Sequence, residues 1–260
     1  MVATGKHLTA LVRSIAHLGP LLSAQSEKIS FGLPKLDGLL AGGLARAALH
    51  EIFPAQFGDV TSAAGFALAL ATRARQQCKI LWVRHEFANI EAGHIHGSGL
   101  FELGIDPKKL ILVRVRDPLS ALRAGNEAAR CSALSAVIVE IWKEPAALDL
   151  TATRRLSIAA GESRVTVFLL RAAATPRPSA AITRWAVKSA SSLLDSNEPT
   201  GHPVFELTLL RHRHGIPVRS WRVEWNRDEC CFREATALSR ALASISANRP
   251  VEANENRRAG

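Results

Sequence analysis

A chain of 260 residues with 47% apolar side chains can build a substantial core, as one large domain or two small ones. No run approaches the length of an uncharged apolar membrane helix, which argues against a spanning segment. The net charge of +10 directs attention to a polyanionic partner, nucleic acid first, although a merely solvated basic face is the competing reading. The charge is uneven: between Arg154 and Arg227 stand twelve Lys or Arg against five Asp or Glu. The cysteines Cys78, Cys131, Cys230 and Cys231 are too irregularly spaced for a disulfide framework, and a reducing cytoplasm fits them.

In chain order, Leu8, Leu11, Ile15, Leu18 and Leu22 share one face, so residues 8–24 read as an amphipathic helix; Arg13 and His17 interrupt any secretory-signal pattern. FGLPKLDGLLAGGLARAALHEIF reads as a turn, a short helix over Lys35–Leu40, a stop at Gly42-Gly43 and an apolar strand over Ala47–Phe53. DVTSAAGFALALATRARQQ is a helix with Asp59 or Thr61 as N-cap and Arg73 and Arg75 near its end. KILWVRHE is a strand, IEAGHIHGSGLFELGI a helix stopping at Gly104, and KLILVRV a strand. DPLSALRAGNEAARCSA predicts a helix, SAVIVEIW a buried strand, residues 149–160 a helix and RVTVFLLRA a strand. This alternation over 47–172 predicts an α/β fold, a mainly parallel sheet flanked by helices.

Beyond it the period changes to two. AITRWAVKSA, VFELTLLRHR and VRSWRVEWN predict antiparallel strands extending the sheet's edge. DECCFREATALSRALASISA predicts an amphipathic helix with Leu238, Leu242 and Ile245 on one side. It either packs on the domain or is offered to a partner, and a polar tail follows from about 247. There is no internal repeat.

The segment EIFPAQFGDVTSAAG has the strand–loop–helix order of a phosphate loop, in which backbone N–H groups, a lysine and a hydroxyl converge on an anion. Thr61 and Ser62 supply hydroxyls, but Gly58 is the only glycine of the loop and the lysine is missing. Asp59 would cap the helix and repel a phosphate. Arg171, Arg177, Arg184 and Lys188 surround Trp185, a composition that suits phosphates and base stacking as well as a plain connector. Trp221 and Trp225 fall on one strand face, either for core packing or as an aromatic patch for a partner. His94 with His96, and His212 and His214 with Cys230-Cys231, lack zinc-ligand spacing, so no metal is expected. No nucleophile elbow or Cys/His pairing is present.

Taken together and in this order, these segments resemble the RecA-like ATPase core, and more closely the ImuA family of bacterial mutagenesis accessory proteins. The resemblance covers roughly residues 30 to 227. FGLPKLDGLLAGGLARAALHEIF is similar to the approach to the phosphate loop, with Gly32, Leu36-Asp37, Gly42-Gly43 and Glu51-Ile52 matching. ILWVRHEF is similar to the strand ending in the catalytic glutamate, here Glu86. LGIDPKKLILVRV is similar to the next helix–strand connection, and SAVIVEIW to the Walker B strand, with Glu140 at the Mg²⁺-linked carboxylate. RVTVFLLR ends at Leu170-Arg171 where a γ-phosphate sensor would stand. LLRHRHGIPVRSWRVEW places Arg211 and Arg213 at a basic pair facing a neighbouring subunit's nucleotide.

The resemblance implies an N-terminal helix over 1–29, a RecA-like P-loop-type domain over 30–227, a C-terminal helix over 228–246 and a tail over 247–260. It implies a degenerate nucleotide site made of Gly58, Asp59, Thr61, Ser62, Glu86 and Glu140, with no ATP or Mg²⁺ held. The implied function is a non-catalytic scaffold in SOS-induced translesion synthesis at damaged DNA. Its partners would be an ImuB-like inactive Y-family polymerase, an error-prone C-family DNA polymerase and RecA, with single-stranded DNA at Arg171, Arg177, Arg184 and Lys188. The partner surface would include Arg211, Arg213, Trp221, Trp225, Leu238 and Leu242. The alternatives are a RecA-like DNA-dependent ATPase whose site is completed by another subunit's Arg211 and Arg213, a stand-alone single-stranded DNA-binding protein supported by charge, and a division inhibitor related to RecA-like folds, which shares the strand–loop–helix core.

Overall fold

Alternating apolar positions on the strands and apolar stripes on the helices assemble one large sheet with helices on both faces. The computed structural model describes residues 27–75, 78–192 and 201–235. In chain order the elements are β1 (Lys28–Ile29), α1 (Pro34–Leu39), β2 (Leu44–Ala45), β3 (Leu49–Pro54), α2 (Val60–Ala74), β4 (Lys79–His85), α3 (Phe87–Ala92) and α4 (Gly97–Glu102). Then come β5 (Leu110–Val115), α5 (Pro118–Ala129), β6 (Leu134–Trp142), α6 (Leu150–Ser163), β7 (Thr166–Ala172), β8 (Thr183–Ala190), β9 (Val204–His212), β10 (Arg219–Asn226) and β11 (Cys231–Glu234). The small β1–β2 pairing was not foreseen from the sequence.

The main sheet has nine strands in the order β11-β10-β9-β8-β3-β7-β6-β4-β5. From β5 to β8 every pairing is parallel, and from β8 to β11 every pairing is antiparallel. The α/β fold with a mainly parallel sheet and an antiparallel extension is therefore present. β8 departs from the expectation of an antiparallel strand, because it runs parallel to β3 and only its other edge pairs antiparallel with β9. Its two-residue alternation records which side chains are buried; it carries no information on strand direction.

α2 packs on one face of the sheet. There Phe66 meets Phe31, Trp185, Phe205 and Phe232, with ring centroids 5.7 to 6.3 Å apart. α5 and α6 cover the opposite face, over Val137, Val139, Val167 and Leu169. Gly125 lies inside α5 because a Cβ there would stand 2.5 Å from Val139, so the helix can approach β6 only without one. Asp117 and Asp149 cap α5 and α6 by accepting the N–H groups of Ser120 and Ala152 at 2.8 and 2.7 Å.

Two predicted helices are corrected. Residues 90–105 do not form one helix. α3 starts earlier, and Gly93, with φ of 74°, breaks the chain before α4, because Gly93, Gly97 and Gly99 deprive the segment of helix propensity. The expected C-terminal helix begins instead as β11, where Phe232 is buried between Cys231 and Arg233 and the open edge of β10 supplies hydrogen-bond partners. The predicted helix over 8–24, the positions Leu238, Leu242 and Ile245, and the tail lie outside the described residues. Among the described residues no helix is long and apolar enough to cross a membrane.

Within β3, His50 is fully enclosed. Its Nε2 lies 2.8 Å from the carbonyl of Ala45 and its Nδ1 2.7 Å from Thr183 Oγ1, which itself accepts the indole N–H of Trp185 at 2.8 Å. A carbonyl only accepts, so the proton sits on Nε2, and Nδ1 accepts the hydrogen bond donated by the threonine hydroxyl. Burial pushes the imidazole pKa from 6.5 down to about 4. The folded state therefore keeps His50 neutral while the unfolded chain takes up a proton below about pH 6.5. Its contribution is complete above pH 6.5 and declines as the pH falls toward 4, by about 1.4 kcal/mol per unit. Urea unfolding at pH 7 and pH 5 should differ by about 2 kcal/mol more in the wild type than in His50→Gln.

Candidate functional site

In an open parallel sheet, ligands bind beyond the carboxyl ends of the strands. Here β3 ends at Pro54, a 3₁₀ turn spans Phe57–Asp59, and α2 starts at Val60. The chain thus follows the strand–loop–helix path expected of a phosphate loop, but Asp59 closes it. Its buried carboxylate accepts the N–H of Gln56 at 3.2 Å, and the N–H and hydroxyl of Ser189 at 2.8 and 2.7 Å. The loop is thereby tied to the end of β8. A Cβ at Gly58 would meet nothing within 4 Å, so this glycine serves no close backbone approach. Thr61 is exposed and Ser62 half-buried.

Glu140, near the end of β6, is also engaged. It is sealed from solvent; Oε2 accepts Arg84 Nε at 2.9 Å and Oε1 accepts the indole N–H of Trp142 at 2.9 Å. Arg84, itself buried, donates onward to the carbonyls of Ala88 and Gly93 and to Asn89 Oδ1, and so fastens α3 across the strand ends. Trp142 fills the space in front of α2, edge-on to Phe57 and Phe87 at 6.1 and 5.8 Å and packed with Val60 and Ala172. Glu86 is exposed at the end of β4, with its backbone N–H bonded to the carbonyl of Val115.

The group these residues would have to fit is ATP with Mg²⁺, and they do not fit it. A carboxylate holds the loop's interior, Glu140 has an arginine as its counter-ion, and apolar rings occupy the crevice. No step through a nucleotide follows from this geometry.

The basic stretch is equally committed. Arg184 donates through Nε to Glu51 Oε2 at 2.6 Å and through Nη2 to Ser179 at 2.9 Å, and the Ser179 hydroxyl donates to the same Glu51 oxygen at 2.7 Å. Arg171 lies 3.7 Å from Glu51 Oε1 and over the ring of Phe53. Both arginines are buried rather than displayed to a phosphate backbone, and burial lowers the Arg171 guanidinium below its ordinary pKa. Arg177 pairs with Glu144, and Lys188 with Glu206 at 3.4 Å.

No family model matches the chain. Protein ImuA of Caulobacter vibrioides strain NA1000 / CB15N is 29% identical over 214 residues, which is 76% of this chain and 78% of that protein. Protein ImuA of strain ATCC 19089 / CIP 103742 / CB 15 gives the same figures. The chain is thus similar to ImuA proteins over about three quarters of its length.

Of the positions that the ImuA resemblance offered as a partner surface, Arg211 and Arg213 are exposed, with Arg213 Nη2 also donating to the carbonyl of Ala180 at 2.6 Å. Trp225 is core: it is fully buried and its indole N–H donates to the carbonyl of Leu103 at 2.8 Å. Trp221 is half-buried against Trp185 at 6.0 Å. Among the described residues no group of three or more His, Cys, Asp or Glu is placed to hold a metal. Arg84, Trp142, Ser189 and the pairing role of Glu51 were missed from the sequence. A usable signal existed, since Arg84 and Glu51 are single charges inside apolar strand runs, where a counter-charge must follow.

Removing one member of a buried pair leaves the other uncompensated. Arg84→Met is therefore expected to lower unfolding stability by about 3–5 kcal/mol. The double variant Arg84→Met/Glu140→Leu should recover part of that loss. Urea denaturation of the wild type and both variants measures the difference.

Proposed function

We propose that this ImuA-like chain is a non-catalytic accessory protein of an SOS-induced translesion-synthesis assembly. In this reading it carries a RecA-like core, binds an ImuB-like inactive Y-family polymerase and acts in the cytoplasm with an error-prone C-family polymerase at damaged DNA. The observation that carries the reading is that both carboxylates at the strand ends turn inward. Asp59 holds Gln56 and Ser189, and Glu140 holds Arg84 and Trp142. A core whose nucleotide crevice is used for its own packing serves as a rigid platform. In the same reading, DNA is reached through partners, because Arg171 and Arg184 are buried and Arg177 and Lys188 pair with Glu144 and Glu206.

Calorimetric titration of the folded protein with ATP and Mg²⁺, with and without single-stranded DNA, is expected to give no binding heat. Saturable heat would replace this reading by the DNA-dependent ATPase, with Arg211 and Arg213 completing a neighbour's site.

The partner surface is assigned to the C-terminal third. Ending the chain after Pro203 would be a poor test, because β9 to β11 supply Phe205, Leu207, Trp225 and Phe232 to the core. Ending it after residue 235 keeps every strand found among the described residues. Co-purification with an ImuB-like partner is expected to be lost in that variant while its melting temperature stays near the wild-type value, and retained binding would move the interface elsewhere.

A further inference from the structure

β7 carries Arg171 into the interior on the sheet face opposite α2. The residue is 4% exposed, yet among the described residues none of its guanidinium N–H groups has an acceptor at hydrogen-bond distance. Nε is sealed without a partner, and the nearest carboxylate oxygen, Glu51 Oε1, stands 3.7 Å from Nη1 and is itself without a hydrogen bond. A guanidinium has five donors, and leaving them unmet in the interior is unfavourable unless a ligand, ion or water takes them. Glu51 cannot serve both buried arginines, because its Oε2 already accepts Arg184 and Ser179. Two buried guanidinium groups therefore share one buried carboxylate, and Arg171 is the one left without a hydrogen-bonded counter-ion.

The side chain borders a cavity of about 260 Å³ whose wall also includes Thr153, Arg177, Ser179 and the first residues of α6. The positive end of that helix dipole faces the same space. Two carboxylates on the wall oppose an anion, and both are occupied. Glu144 accepts the N–H and hydroxyl of Thr175 and pairs with Arg177, while Asp149 caps α6.

We propose that this cavity is an oxyanion site in which Arg171 binds the singly charged carboxylate group of a small molecule. The planar guanidinium fork matches a carboxylate in shape. Glu144 and Asp149 on the wall repel a dianion more strongly than a singly charged group. The site lies across the sheet from Asp59 and Glu140, so it stands whether or not the accessory reading holds.

The test is the melting temperature of the full chain in increasing sodium acetate, with sodium chloride and sodium phosphate at equal ionic strength as controls. Acetate is expected to raise the melting temperature saturably, by about 4 °C at ten times its dissociation constant. The rise should vanish in Arg171→Leu and shift to several-fold higher acetate in Arg177→Ala. Equal effects of acetate and chloride, or an undiminished rise in Arg171→Leu, would overturn the proposal. A larger rise in phosphate would overturn the preference for a carboxylate. Should Arg171→Leu fail to fold, the wild-type curve decides, since a response that never saturates means that no site exists.

Discussion

Glu140 lies inside the protein with Arg84 as its counter-charge, and the carboxyl edge of the sheet is arranged around that pair. Each group would be intolerable there alone. Together they fix more than each other: Arg84 reaches three groups of the α3 segment, and Glu140 orients the indole of Trp142. The ring of Trp142 then becomes the surface on which Phe57 and Phe87 settle. A hydrophobic pair of similar volume could match the stability of this ion pair, but it could not hold an irregular backbone segment by its carbonyls. The pair therefore acts on geometry more than on net stability.

A second buried carboxylate is engaged in the same way in the turn after β3, two strands away from β6 in the sheet. Asp59 joins the loop after β3 to the end of β8, and β8 is the strand where parallel pairing gives way to antiparallel. The contact of Asp59 with Ser189 thus binds the two halves of the sheet. On the opposite face, Glu51 plays a comparable part for Arg184, and less completely for Arg171. Of the twelve basic residues between Arg154 and Arg227, Arg171 and Arg184 are internal and Arg177 and Lys188 are paired with carboxylates, so these four present less charge to a phosphate backbone than the sequence suggests.

Much of the architecture was legible because burial leaves a periodic trace. The runs SAVIVEIW and RVTVFLLRA read as central strands since both faces are covered, and β6 and β7 are buried throughout. The helical stripe of α2 and the strand–loop–helix order at Asp59 were equally visible, as was the mismatch of an aspartate and a missing lysine with a phosphate. The strand direction of β8 was not legible, because burial alternates identically in either direction. Nor was β11, where a short local pattern was overridden by the unpaired edge of β10.

The candidate site divides along the same line. The sequence by itself determined which residue types stand at the strand ends, and hence that Asp59 would disfavour a phosphate. Only the tertiary structure decided what those residues do instead. Ser189 lies far along the chain from Asp59, and Arg84 lies far from Glu140, so their meeting depends on strand order and register. Whether an arginine faces water or a buried carboxylate is likewise set by its neighbours across the sheet, and a linear chain carries no local record of them.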